Sequence, residues 1–374
     1  MDASKYKRRA WLEVDLDALD RNVRKCRQII GDKCALTAVV KSNAYGLGAE
    51  VIARELVRAG ADVLAVACLS EAKRLRRILP DAEIMILGDT PLDDMPDAAR
   101  LNLICTIWTE RQAVKAAECG LRVHAKLDTG FHRLGFDCRE ENLSEIARIL
   151  GMKGLKLEGV YSHLALVNHD EDMKQFALFD AAVEYLRAHG ISPRYAHIDD
   201  SIGMVRYPEH QRDMVRVGAF LYGVWPSRYD DPITKEPVIA TLKARVTHLS
   251  HLGIGEGAGY DFLFRAERPS TLATICAGYG DGYARAASKY NGEVSIRASR
   301  CKLAGLACMD QMMADVTDIP GVTPGDMATL MGRDGDECIT AEDVAAWAGT
   351  ISYEILLAAT GRVPRVWLHE HDEG

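Results

Sequence analysis

The sequence predicts an α/β protein, a (β/α)₈ barrel over residues 1–232 followed by a mostly β domain over residues 233–374. Three observations predict it. Between Trp11 and about Trp225, short apolar runs alternate with stretches of helical period. There are eight such runs, and that number over that length favours a closed barrel over an open sheet. After Tyr229-Asp230-Asp231-Pro232 the pattern changes to short segments with several Val, Ile and Thr residues, set between glycine and proline turns.

In chain order the strand candidates are Ala35–Val40, Ala61–Ala67, Glu83–Leu87, Leu101–Ile107, Val123–Leu127, Leu155–Tyr161, Tyr195–Ile198 and Gly218–Tyr222. Between them, Glu71–Leu79, Glu110–Cys119, Glu141–Leu150 and Met173–His189 place apolar residues three and four apart, as amphipathic helices do. Beyond Pro232 the strand-like segments are Ala240–Leu249, Thr271–Ala277, Glu293–Ile296 and Asp326–Leu330. Two helices interrupt them, Ala341–Ala348 after a Thr340 cap and Tyr353–Ala359.

Composition narrows the function. A chain of 374 residues that is 48% hydrophobic can bury a large core. A net charge of −8 with no long basic run argues against nucleic acid or an anionic membrane surface as partner. The basic start MDASKYKRRAW is not followed by an apolar stretch, and no window approaches the ~18 apolar residues of a membrane span. Ten cysteines without a CxxC pair fit thiols in a reducing cytoplasm better than a zinc ribbon or a disulfide framework.

Barrel active sites gather at the carboxyl ends of the strands, and the chemically distinctive residues fall there. Lys41 ends the run in AVVKSNAYGLG, Arg133 follows Leu127 in KLDTGFHRLGF, and His163 follows Val160-Tyr161-Ser162. Ser201 follows HIDD, and Gly218 and Ala219 follow Arg216. An ammonium at the end of a buried strand is desolvated on one side, which depresses its pKa and suits it to Schiff-base formation. A plain surface lysine is the alternative, but Asn43, Tyr45 and two glycines look like a loop shaped around a ligand. Such a lysine implies a carbonyl cofactor, of which pyridoxal 5′-phosphate is the commonest. Ser201 and the Gly218–Ala219 backbone would meet the phosphate. Arg216 is spaced either to reach the pyridine nitrogen, keeping it unprotonated, or to pair with Asp213.

Nine blocks in order then resemble the alanine racemase family: RAWLEVDLDAL, AVVKSNAYGLG, KLDTGFHRLGF, HIDDSIGM, VRVGAFLYG, GAGYDF, ICAGYGDGYAR, ACMDQMMADV and GRVPRV. They run from Arg9 to Val366. The resemblance implies racemisation of L- and D-alanine with pyridoxal 5′-phosphate, which Lys41 would bind covalently. Lys41 and Tyr260 would be bases on opposite faces. Tyr45, Ser201, Gly218 and Ala219 would hold the phosphate, Arg216 would pair with the pyridine nitrogen, and His163 would support Arg216. Arg133 would contact the cofactor phenolate oxygen and orient the substrate carboxylate, to which Met309 of the partner subunit would offer its N–H. Tyr279 and Asp310 would line the same region. Lys126 matches a position carbamylated in some members, where it orients the arginine. A site shared between subunits implies a homodimer acting on a small amino acid.

Two-base chemistry has a reason, since a lone base tends to return the proton to the face it left. Tyr260 would need a lowered pKa, for which His163 and Arg216 are the expected nearby cations. Without the resemblance Tyr260 reads as an aromatic in a glycine-rich turn, and His163 as a satisfied core histidine. Tyr353 is left to core packing. Three places depart from the family pattern. Asp200 stands where Asn is common, and its charge would repel a phosphate unless it is protonated or paired. Phe131-His132 precede Arg133 where a methionine and a small or polar residue are more usual. Gly361 stands where many members carry a tyrosine that narrows the substrate entry and also reaches the phosphate, so serine becomes a candidate substrate alongside alanine.

The rivals are a racemase acting mainly on serine, a pyridoxal phosphate carrier (which would lack the β domain), a decarboxylase of the same fold (no convincing motif for a basic substrate), and a metal-dependent barrel hydrolase using His163, His169 and His197.

Overall fold

The computed structural model describes residues 9–225 and 238–369, so the expected boundary at 232/233 lies outside the described residues. Two compact units are present. One is Asp20–Ala44 with Ala49–Leu221; the other, among the described residues, is 9–19, Tyr45–Gly48, 222–225 and 238–369.

The first unit is a nearly closed barrel of eight parallel strands. In spatial order they are Met214–Val217, Ala35–Val39, Val63–Val66, Glu83–Ile86, Ile104–Ile107, Arg122–Asp128, Lys156–Tyr161 and Tyr195–His197. Tyr195–His197 is stitched to Met214–Val217 by the Asp213 N–H on Ala196 O (3.1 Å) and the Arg216 N–H on Asp199 O (3.0 Å).

Seven strands overlap their predicted runs. The eighth was expected at Gly218–Tyr222, but Ala219–Tyr222 is a 3₁₀ turn and Met214–Val217 is the strand. Met-Val-Arg-Val keeps register with Ala35–Ala38, and the apolar run after Gly218 reflects burial rather than pairing.

Helix His169–Ala188 begins earlier than its expected start at Met173. Asn168 caps it by accepting the Glu171 N–H (3.0 Å), and three acids occupy the first turn. That polar first turn hides the helix from an apolar-period search.

Val63, Met85, Ile104, Tyr161 and Met214 pack together as one apolar cluster of the barrel. The strands also bury Thr37, Thr106, His124, Lys126, His197 and Arg216. These six buried polar side chains single out the barrel interior as the place to look for a site.

The second unit is built on a nine-stranded sheet. Its main path runs Ser299–Lys302, Glu293–Ile296, Met327–Asp334, Ala240–Leu252, Ala10–Asp15 and Arg365–Leu368. The 13-residue strand Ala240–Leu252 serves two partners. Its first half pairs with Ala10–Asp15 and Met327–Asp334, and after a register shift near Val246 its second half pairs with Ser270–Ile275.

Ala10–Asp15, at the start of the alternating region, therefore joins this sheet and not the barrel. Its residues are buried on both faces up to Asp15. Trp11 is fully buried and donates from Nε1 to Glu13 Oε1 (3.0 Å), while Glu13 pairs with Lys243 at 2.9 Å. Helix Ala341–Ala348 carries the expected Thr340 cap, closed into a capping box by Asp343. Among the described residues no helix is long and apolar enough to cross a membrane.

Candidate active site

Lys41 follows Val40 at the end of strand Ala35–Val39 and opens an unusual turn. Ser42, Asn43, Ala44 and Tyr45 all have positive φ, 53°, 57°, 52° and 56°. A left-handed residue other than glycine costs about 1–2 kcal/mol, so four in a row persist only where surrounding contacts impose them. Glu71 supplies part of that restraint, accepting the Ser42 N–H (2.6 Å) on one oxygen and the Ala67 N–H (2.9 Å) on the other. Asn43 Oδ1 accepts the Ala49 N–H (2.9 Å) at the head of the next helix. Lys41 keeps a face open to solvent. Protein atoms around it lower its pKa by desolvation, Arg133 lowers it further, and Glu71 opposes. The turn thus presents an amine biased toward its neutral form.

Arg216 is the buried centre of the barrel network. Its Nη1 lies 2.7 Å from His197 Nδ1, and its Nη2 donates to the carbonyls of Ser162 and Ile198, each at 2.8 Å. The Tyr161 ring stacks on His197 at 4.9 Å and offers its face to the guanidinium at 5.0 Å. The Asp213 pairing left open by spacing does not form; Asp213 accepts the Ala196 N–H instead (2.8 Å). His197 uses its two ring nitrogens on Arg216 and on His124 (2.9 Å), so it is unavailable as a metal ligand. His124, which the sequence reading passed over, alternates with Lys126 on strand Arg122–Asp128; that inward alternation was the available signal.

His163 lies 3.5 Å from Arg216 Nη2. Burial lowers its pKa to about 4, with Asp200 opposing and Arg216 adding to the fall. It is therefore neutral near pH 7, which corrects the expectation of a cationic His163; the positive charge belongs to Arg216 and Arg133. Lys126 is itself lowered to about 7, by burial first and then by Arg216, and donates to Leu127 O (2.6 Å). Phe131 gains a role here, since its ring packs on His163 (5.3 Å) and carries the Arg133 guanidinium on its face (4.4 Å).

Ser201 opens helix Ser201–Arg206. Its Oγ accepts the Gly218 N–H at 3.1 Å and the Phe220 N–H at 3.4 Å, which draws hydroxyl and backbone donors into one cup with Ala219 between them. Asp200 caps the helix through the Ile202 and Gly203 N–H groups (2.9 and 3.0 Å), which occupies that carboxylate locally.

The remaining predicted residues belong to the other unit. Tyr45 packs its ring against Tyr222 (4.9 Å) and Tyr353 (5.8 Å), so Tyr353 completes an aromatic trio. Tyr260 starts the 3₁₀ turn Tyr260–Phe262 and is 60% exposed, and Met309 is 53% exposed.

The Met309 loop is tied to the turn bearing Tyr279. Tyr279 N–H donates to Cys308 O (3.1 Å) and Gly280 N–H to Met309 O (2.8 Å). A Cβ at Gly278 would lie 2.2 Å from Cys308 O, so the approach needs glycine. Beneath it, buried Asp281 takes a bidentate pair from Arg9 (2.5 and 2.9 Å), Arg9 also reaches Asp310 O (3.0 Å), and Arg362 pairs with Asp310 (2.7 Å). Arg9 and Asp281 stand 272 residues apart, a separation no local pattern reveals.

The two units also match known families separately. Residues 14–226 match the model of the alanine racemase N-terminal domain, and residues 239–367 that of the C-terminal domain. The chain is 37% identical over 369 residues to the alanine racemase of Desulforamulus reducens, covering 96% of this chain and 98% of that one. It is 33% identical over 371 residues to that of Methanococcus maripaludis. Among solved structures, alanine racemase of Clostridium difficile superposes with a TM-score of 0.89 at 29% identity, covering 97% of each chain. That of Bacillus anthracis with bound L-Ala-P gives 0.86 at 34% identity, covering 97% of this chain and 95% of that one. The chain belongs to the alanine racemase family, a family of isomerases.

Proposed function

We propose that this chain interconverts L- and D-alanine with pyridoxal 5′-phosphate as cofactor, using Lys41 and Tyr260 as the two bases. The observation that carries the reading is the Lys41 turn, which holds an amine of lowered pKa at a barrel strand end against the cost of four left-handed residues.

The donor set suits the cofactor. The Ser201 hydroxyl with the Gly218 and Ala219 backbone, joined by Tyr45, would hold a phosphate; Arg216 would donate to the pyridine nitrogen, with His163 beside it; Arg133 would meet the phenolate oxygen. When bound, pyridoxal phosphate supplies an electron sink that acidifies the α-hydrogen of an amino acid.

Lys41 Nζ takes or returns that proton on one face, and Tyr260 Oη does the opposite on the other. Arg133 and the Met309 N–H orient the substrate carboxylate. The exposure of Tyr260, Phe262, Leu263 and Met309 (each above half) supports a homodimer in which Tyr260 and Met309 complete the site of the partner subunit. Ten free thiols are consistent with a cytoplasmic enzyme.

A second reading, broader specificity that includes serine, is favoured by one observation: a Cβ added at Gly361 meets nothing within 4 Å. The test is the visible spectrum of the purified protein, then chiral analysis after incubation with L-alanine and L-serine. Absorbance of a lysine-bound pyridoxal group and D-alanine are expected. No such band, or no D-product from either amino acid, would undo the proposal; D-serine formed faster than D-alanine would favour the second reading.

A further inference from the structure

Inside the barrel, Arg216, His197 and His124 form a buried chain, and His124 has no role in the reaction proposed above. The distances are 2.7 Å from Arg216 Nη1 to His197 Nδ1 and 2.9 Å from His197 Nε2 to His124 Nδ1.

The proton positions follow by elimination. Arginine only donates, so His197 Nδ1 accepts. His197 is fully buried, and burial together with the Arg216 charge holds its pKa well below the ordinary value, so it is neutral with its single proton on Nε2. That proton faces His124 Nδ1, which therefore accepts. Burial keeps His124 neutral as well, with its pKa near 3, which places its own proton on Nε2. That atom has no hydrogen-bond partner among the described residues.

We propose that His124 is a positioning residue: by accepting from His197 Nε2 it locks the His197 tautomer, and through it the orientation of the Arg216 guanidinium. In the other tautomer, an N–H on His197 Nδ1 would face an arginine N–H at 2.7 Å, two donors in contact. The stacked Tyr161 ring, inclined only 5° to the imidazole, holds that ring in place. The barrel is built around the second ring too. A Cβ at Gly159, on the neighbouring strand, would lie 2.5 Å from His124 Cε1. A leucine at 124 would fill the interior without stranding an N–H; the histidine is explained by the acceptor it offers.

The tautomer chain stands without the proposed cofactor, whereas its consequence for a pyridine nitrogen rests on that reading. The experiment therefore has two arms. In the full-length protein labelled with ¹⁵N-histidine, long-range ¹H–¹⁵N spectra between pH 5.5 and 9 (about the range over which ordinary histidines titrate) should show two non-titrating rings protonated on Nε2. Their signals are assigned by loss in His124→Asn and His197→Asn. A His197 ring protonated on Nδ1, or titration of either ring in that range, overturns the proposal.

In the second arm, His124→Asn retains an acceptor near the Nδ1 position and His124→Leu has none. The leucine variant should lose about tenfold in kcat with the alanine KM within about twofold, and should shift the visible absorption of bound pyridoxal phosphate; the asparagine variant should stay within about twofold in all three. Equal behaviour of the two variants overturns the proposal. If the leucine variant does not fold, the spectra of the unsubstituted protein decide alone. A protein with the tautomers as assigned that binds no pyridoxal phosphate would contradict the cofactor reading and leave the chain standing.

Discussion

The two units prepare their site residues in opposite ways. In the barrel, Arg216 is fully buried and held by His197 and two carbonyls, and its neighbours His197 and His124 are kept neutral by the same burial. In the other unit Tyr260 and Met309 stand more than half exposed on loops, and the Met309 loop is tied from beneath by Asp281, Arg9 and Arg362. The contrast teaches that groups proposed to meet a rigid cofactor can be fixed inside a core. On the reading proposed above, Tyr260 and Met309 would instead reach outward, and the position of Met309 would come from the hydrogen bonds and ion pairs behind its loop.

Substitutions that attack each side separately sharpen the contrast. The largest effect is expected from Lys41→Ala, a fall in kcat on the order of 10⁴-fold or more in a chiral assay. Tyr260→Ala should be comparably inactive. Because the account places the two residues of one site on different subunits, mixed and re-associated Lys41→Ala and Tyr260→Ala chains should recover about one quarter of parental activity. No recovery would place both residues in one chain's site.

Stability should separate the units next. Arg216→Leu leaves the Ser162 and Ile198 carbonyls and His197 without their donor and should cost about 3 kcal/mol in urea unfolding. Tyr260→Phe, on the exposed side, should change stability by less than about 0.5 kcal/mol.

A smaller effect concerns pH. His124 titrates near 3 in the folded barrel and His163 near 4, against ~6.5 when unfolded. Below pH 6.5 the unfolded chain binds more protons, so stability is level above that pH and falls as pH drops from 6.5 toward 4. The loss for His124 is about 2 kcal/mol by pH 5. His124→Leu should flatten the acid limb by about that amount, while an unchanged limb would show that the ring is not held neutral.

The smallest effect is expected at Gly361. Gly361→Tyr fills an open position and should lower the serine-to-alanine rate ratio by about tenfold; an unchanged ratio would remove Gly361 as a determinant of specificity.

Much of the barrel was legible because a buried parallel strand leaves a compact apolar run, and strand ends then located Lys41, Arg133, His163 and Ser201. The last strand was misread because Gly218–Tyr222 is as apolar as a strand, although its backbone coils. The placement of Ala10–Asp15 was hidden because its partners, Ala240–Leu252 and Arg365–Leu368, lie hundreds of residues away. His163 was read as a cation because sequence shows adjacency to Arg216 but not burial. The left-handed turn after Lys41 was invisible for a related reason, since Ser42, Asn43 and Ala44 are individually ordinary and part of the restraint comes from distant Glu71. Asp200 was read as a threat to a phosphate unless protonated or paired; its carboxylate accepts two N–H groups as a helix cap, a local engagement that only the fold could reveal.

The central claim is that two bases, one from each unit, serve opposite faces of the substrate. The most direct test is to incubate Tyr260→Phe, loaded with pyridoxal phosphate, with L- and D-alanine separately in deuterium oxide and follow the α-position by NMR. Loss of one base predicts that a single enantiomer exchanges its α-hydrogen, with retention of configuration and without racemisation. Exchange of both enantiomers at similar rates, or racemisation near the parental rate, would contradict it.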